Sequence, residues 1–166
     1  MAKEKFNITT LTNNDGCFDL QFRKDTRRER TNAPTYYRWK IQFVITTPKE
    51  SVNILQKAKI ALGCGNISLA KGQARFSIQK IDDMVETVIP FFNKNKLTGN
   101  KKNNFDLWQK AVAIIYNNKG VYLAKWKKSD LLCLIEIYKS MAKHKSKPRS
   151  GKWMDMAKIA TKNPVN

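Results

Sequence analysis

Four stretches of this chain share one arrangement, with hydrogen-bonding side chains at every second position and apolar ones between. The polar positions are Asp19, Gln21, Arg23; Arg38, Lys40, Gln42; Asn66, Ser68; and Gln73, Arg75, Ser77, Gln79. Guanidinium and ammonium groups match guanine edges and phosphates, amides match adenine, and hydroxyls suit either. Period-two alternation sends all of these side chains to one side of a sheet. Any half-exposed antiparallel sheet has a polar face, so alternation alone does not separate a binding surface from a solvated one. The excess of Arg, Lys and Gln over Thr and Glu, taken with the overall charge, separates them and implies a nucleic-acid-binding face.

That charge is large. Across 166 residues, 32 Lys and Arg stand against 13 Asp and Glu, a net of +19 with pI near 10.0. An enzyme for neutral substrates has no use for such a field, and self-repulsion weakens the compact state. A polyanionic partner relieves it, nucleic acid before an anionic membrane. Residues 1–87 net +6 and residues 88–166 net +13, which makes the C-terminal half the stronger phosphate anchor. Lys71, in the turn between two of the strands, adds to the polar face. Lys94, Lys96, Lys101 and Lys102 form a basic loop that could contact phosphates, and Lys143, Lys145, Lys147, Arg149 and Lys152 a basic tail.

The elements that must position these groups follow from the apolar partners. Ile8 lies within a short, weak helix from about Phe6 to Asn14, poor in good helix formers. Phe18, Leu20 and Phe22 define one strand, and Tyr37, Trp39, Ile41, Phe43 and Ile45 a second, with Tyr36 on its polar side. Asp25 to Pro34 reads as a polar loop. Thr47, Pro48 and Glu50 read as N-cap, first turn and capping box of a helix buried through Val52, Leu55, Ala58 or Lys59, and Leu62 and stopped at Gly63. Ile67 and Leu69, a Lys71-Gly72 turn, then Ala74, Phe76 and Ile78 make a hairpin. Asp82 and Asp83 open a helix that closes before Pro90. After a loop from Asn93 to Asn104, Phe105, Trp108, Val112, Ile115 and Tyr116 mark another helix. Ser129 caps one with Leu131, Leu132, Ile135, Tyr138 and Ala142 inside, and Trp153, Met156 and Ile159 suggest a last short one. Two strand pairs joined by a helix give an α+β chain: one four-stranded antiparallel sheet, helices on one face, and extra C-terminal helices. Residues 1–142 form the domain and 143–166 a basic extension.

Cys17, Cys64 and Cys133 are widely spaced with no CxxC pair, which disfavours a disulfide framework and a zinc site. His144 has no companion ligand and reads as solvated. No run is apolar and long enough to span a bilayer. The start, Met1-Ala2-Lys3-Glu4-Lys5, carries neither a secretion signal nor an Arg-rich presequence. Lys-over-Arg usage with frequent Asn and Ile suggests an AT-rich coding genome, such as that of a mitochondrion or other organelle.

Asp15-Gly16-Cys17-Phe18, the Gly63-Cys64-Gly65-Asn66-Ile67 turn, Ile89-Pro90-Phe91-Phe92, Leu97-Thr98, Lys101-Lys102 and Phe105-Asp106-Leu107-Trp108 occur in an order and spacing that resemble a single-motif LAGLIDADG homing endonuclease, from about Ile8 to Tyr116. The resemblance implies the αββαββα fold. It also implies that Asp15 holds a divalent metal, Mg²⁺, with Lys101 or Lys102 as peripheral base or charge stabiliser, and that a homodimer cuts both strands. The motif helix departs from the pattern: Ile8-Thr9-Thr10 and Asn14 replace its small residues, and Asn13 its first acid. Bulkier residues hold two such helices apart, and misplacement of about an ångström can cost about a hundredfold in rate. The expectation is a degenerate endonuclease kept as a structured-RNA-binding component, with ribosomal neighbours. The alternatives are an active homodimeric DNA endonuclease acting on duplex DNA and a group I intron maturase.

Overall fold

A computed structural model describes residues 6–26, 35–144 and 157. The short helix α1 (Ile8–Asp15) starts where the Asn7 side chain accepts from the Thr10 amide at 3.1 Å. It turns at once into β1 (Gly16–Thr26). There is no room for a side chain at this corner: a Cβ on Gly16 would lie 2.7 Å from the Thr12 carbonyl oxygen.

Strand β1 pairs antiparallel with β2 (Thr35–Pro48), β2 with β4 (Gln73–Ile78), and β4 with β3 (Asn66–Ala70), in the order β1-β2-β4-β3. Register and parity agree. Phe18 faces Phe43, Leu20 faces Ile41 and Phe22 faces Trp39 on one side. Ile45 faces Phe76 and Ile67 faces Phe76 on that same side. Phe18, Phe43, Ile45, Phe76 and Ile78 are fully buried there, under the helices. Lys71 and Gly72, both at positive φ, close the β3–β4 hairpin as expected.

Helix α2 (Val52–Leu62) buries Leu55, Ala58 and Leu62, as the periodicity predicts, and stops at left-handed Gly63. Its start differs from the sequence expectation. Thr47 does not cap it: β2 continues to Pro48, which pairs with Gln73, and the Lys49 amide donates to the Gly72 carbonyl at 3.0 Å. The chain satisfies these groups in the ladder first and enters α2 through a 3₁₀ turn, Lys49–Ser51.

Pro90 also fails to end a helix. α3 (Ile81–Asp83), a π turn (Met84–Val88) and α4 (Ile89–Lys94) run on together, with Pro90 in the first turn of α4. A π turn upstream is where a missing backbone donor is tolerated. The gain from continuing is Phe92, which packs edge-on against Phe18 and Phe43.

Helix α5 (Gly99–Asn117) starts earlier than expected and shrinks the predicted basic loop to a short link. It buries Phe105, Trp108, Ala111 and Val112 on the sheet. Helix α6 (Lys128–Lys143) packs on α5 through Leu131, Leu134, Ile135, Ile137 and Met141. Ser129 lies inside its first turn and does not cap it, and Leu132 is exposed. His144, half-buried, ends it. Asp25 and Thr26, expected in a loop, continue β1. The rest of that expected loop, residues 27–34, the side chain of Tyr36, the basic tail from Lys145 and the proposed helix around Trp153, Met156 and Ile159 lie outside the described residues. Among the described residues no helix is long and apolar enough to cross a membrane.

Candidate nucleic-acid interface

The sheet side opposite the helices gathers the residues singled out by alternation. Asp19 faces Gln42, Gln21 faces Lys40, and Arg23 faces Arg38 across β1 and β2. Val44 faces Ser77 and Thr46 faces Arg75 across β2 and β4. Ser68 faces Arg75 and Asn66 faces Ser77 at the β3 edge. Gln73 opens β4 opposite Ala70, with Lys71 in the adjoining turn. Gln21, Arg23, Arg38, Lys40, Ser68, Lys71, Gln73, Arg75, Ser77 and Gln79 are all exposed or half-buried.

Like charges placed directly opposite destabilise a sheet, and this face places them so. Burial, then the cations Arg23, Arg38 and Arg75, hold the Lys40 pKa below the usual lysine value, while Asp19 pulls the other way. A surface that concentrates cations at a cost to its own folding is complementary to an anion.

A row of side chains crosses the middle of this face. Asp19 accepts from Gln21 Nε2 at 2.5 Å and from Gln42 Nε2 at 2.9 Å. Gln42 Oε1 accepts from Gln79 Nε2 at 3.3 Å. Asp19 and Gln42 are buried, at 1% and 2% exposure. Gln42 therefore corrects the sequence reading. It lies on the polar face, but with both amide atoms engaged and no exposed edge it braces its neighbours and is not itself a contact. From below, Trp108 Nε1 donates to the Gln42 carbonyl at 3.1 Å.

Lys94 and Lys96 do not join this face. Lys94 is in the last turn of α4, Lys96 in the link to α5, both exposed on the helical layer. Lys101 and Lys102 lie in the first turns of α5 and point to different partners. Lys101 Nζ donates to the Gly16 carbonyl, while Lys102 pairs with Asp106 at 3.1 Å.

The foot of α1 carries Asp15, exposed, with Asn13 accepting from the Thr98 amide at 3.2 Å. Thr10 and Asn14 lie one turn apart on the exposed side of α1. A hard divalent cation needs several oxygen ligands. Among the described residues no three His, Cys, Asp or Glu side chains gather. The adjoining Gly16 carbonyl already accepts from an ammonium. The donor set of one chain therefore does not fit such a metal, and a second carboxylate would have to come from another copy.

A four-stranded antiparallel sheet with helices on one side, a cationic polar face on the other and a short helix ending in an acid at the first strand define an α+β architecture of the homing-endonuclease type. The chain belongs to the LAGLIDADG endonuclease family, whose model matches residues 8–112. It is 28% identical over 95 residues to a probable intron-encoded endonuclease 3 of Neurospora crassa, covering 56% of this chain and 18% of that protein. It is 29% identical over 94 residues to a probable intron-encoded DNA endonuclease 1 of Mycosarcoma maydis, covering 56% and 31%. The chain thus spans less than a third of the curated relatives' length. The fold matches the homing endonuclease I-TnaI with a TM-score of 0.69 at 16% identity, over 93% of this chain and 95% of that one. It matches I-CpaMI bound to uncleaved DNA with a TM-score of 0.70 at 19% identity, over 99% and 51%.

Proposed function

We propose that this chain binds a polynucleotide along the open face of its sheet and does not cut it unaided. The observation that carries the reading is the contrast between the two ends of the fold. The sheet face holds Arg23, Arg38, Lys40 and Arg75 around a hydrogen-bonded row of amides centred on the buried Asp19. The foot of α1 offers one carboxylate, an engaged Asn13 and a carbonyl occupied by Lys101.

The partner favoured here is structured RNA in an organelle, including ribosomal RNA. A family member that no longer assembles paired acids keeps a use for its surface where RNA must be held in shape. Purifying the chain from its source after crosslinking and sequencing the attached nucleic acid tests this. Recovery of duplex DNA alone overturns it, and recovery of intron RNA in place of ribosomal RNA moves the role to that of a maturase.

The exposed Asp15 carboxylate at the helix foot supports a second reading, an active homodimeric Mg²⁺-dependent DNA endonuclease. That reading requires a dimer by light scattering, cleavage of a plasmid carrying the insertion site, and loss of cleavage but not binding in Asp15→Asn. A monomer that leaves such a plasmid intact excludes it.

A further inference from the structure

We infer that Asp19 is a positioning residue that sets the amide orientation of Gln21, Gln42 and Gln79, and thereby fixes the base edge that the sheet reads. This rests on the nucleic-acid-binding reading above. The amides of Gln21 and Gln42 both turn their nitrogens toward one oxygen of Asp19, Oδ2, which accepts from each. With its nitrogen committed, Gln42 presents its oxygen to β4, where Gln79 Nε2 donates to it. One carboxylate on β1 thus determines the direction of an amide two strands away.

Gln42, buried, transmits this constraint. Gln21, half-buried, and Gln79, exposed, form the two ends of the row. Each spends one N–H inward and retains one N–H and its carbonyl oxygen. That donor–acceptor pair matches the N6 and N7 edge of adenine. Gln79 also lines a surface hollow of about 620 Å³ with Asn66, Ser77 and Lys80, so there is room beside it for a base. A freely rotating glutamine amide offers its donor and acceptor in either order; a clamped one offers a single order and discriminates.

The test uses the full chain as wild type, Asp19→Ala, which removes the acceptor oxygen, Gln79→Ala and the double variant, each selecting from a random-sequence RNA pool and a random-sequence duplex DNA pool. The wild type enriches adenine at the position Gln79 reads tenfold or more, within the range of a bidentate base contact. Asp19→Ala does not lose affinity for the unselected pool and loses that preference. Gln79→Ala, an exposed change that does not threaten the fold, loses it too, and the double variant loses no more than either. Side-chain amide ¹⁵N spectra give well-separated glutamine signals in the wild type that collapse toward free-amide positions in Asp19→Ala. An unchanged adenine preference or unchanged amide signals in Asp19→Ala, or losses that simply add, overturn the inference. Binding to the pools without any adenine preference overturns it alone, whereas binding to neither pool at low salt overturns the nucleic-acid reading as well.

Discussion

The ammonium of Lys101 meets the carbonyl oxygen of Gly16, 85 residues earlier in the chain. A side chain from the first turn of α5 is thereby tied to the corner where α1 becomes β1, beside Asp15. The basic residue read from sequence as part of a phosphate-contacting loop is, in the folded chain, a clamp on the helix foot.

Replacing Lys101 by Met keeps the aliphatic stem and removes the donor. The half-buried position moderates the loss, since solvent replaces part of the interaction. Stability should fall by about 1 kcal/mol, lowering Tm by about 2–4 °C for a chain of this size. Thermal melts followed by circular dichroism check it, and an unchanged Tm would show the clamp to be idle.

Gly16→Ala should cost more. Its Cβ would meet backbone, the Thr12 carbonyl oxygen and Cα, which cannot rotate away as a side-chain end would. The corner must open, at about 1–3 kcal/mol for forced overpacking. Because the same movement displaces the carbonyl that Lys101 holds, Gly16→Ala and Lys101→Met should be less than additive in urea denaturation.

Lys40→Gln should stabilise the free protein at low salt while weakening its hold on nucleic acid. The folded-state pKa of Lys40 lies below its ordinary 10.5, so folding is penalised wherever the side chain is protonated in both states, which includes neutral pH. The penalty fades as pH rises through the depressed folded value and is gone above 10.5. The advantage of the variant should therefore shrink at alkaline pH and also in high salt, where the repulsion from Arg23, Arg38 and Arg75 is screened. If Lys40 meets a phosphate in the complex, its replacement should lower the slope of log affinity against log salt by about 0.7–0.9. A variant that is less stable than wild type at low salt and pH 7 contradicts this account of the face.

Thr10→Ala with Asn14→Ala should raise self-association. Both replaced residues are exposed on one side of α1 and larger than a close helix crossing accepts. Sedimentation across a concentration series would detect the change. A double variant that associates no more than the parent would mean that Thr10 and Asn14 do not control helix pairing.

The strand faces were legible because a period of two leaves only two choices, and one of them buries Phe18, Phe43 and Phe76 together. The α2 stripe was legible for a similar reason, with one apolar side. Helix boundaries and phase were less so. The Leu131–Tyr138 stretch of α6 is apolar on several sides, so its own pattern does not choose between Leu132 and Leu134; contact with α5 does. Pro90 signals a stop, and packing of Phe92 overrides it.

Chemical inventory and side-chain parity belong to the sequence alone: a strongly cationic chain, four amphipathic strands and one acid at a helix foot. Which polar groups stay available was decided only by the tertiary structure. Gln42 and Gln21 have the same chemistry and both lie on the outer face, yet one is buried in a hydrogen-bonded row and the other keeps a free edge. Lys101 and Lys102 are adjacent, yet one holds Gly16 and the other Asp106. Residue type limits what a group can bond to, but the partner is set by what packing brings within about 3 Å, often from far along the chain.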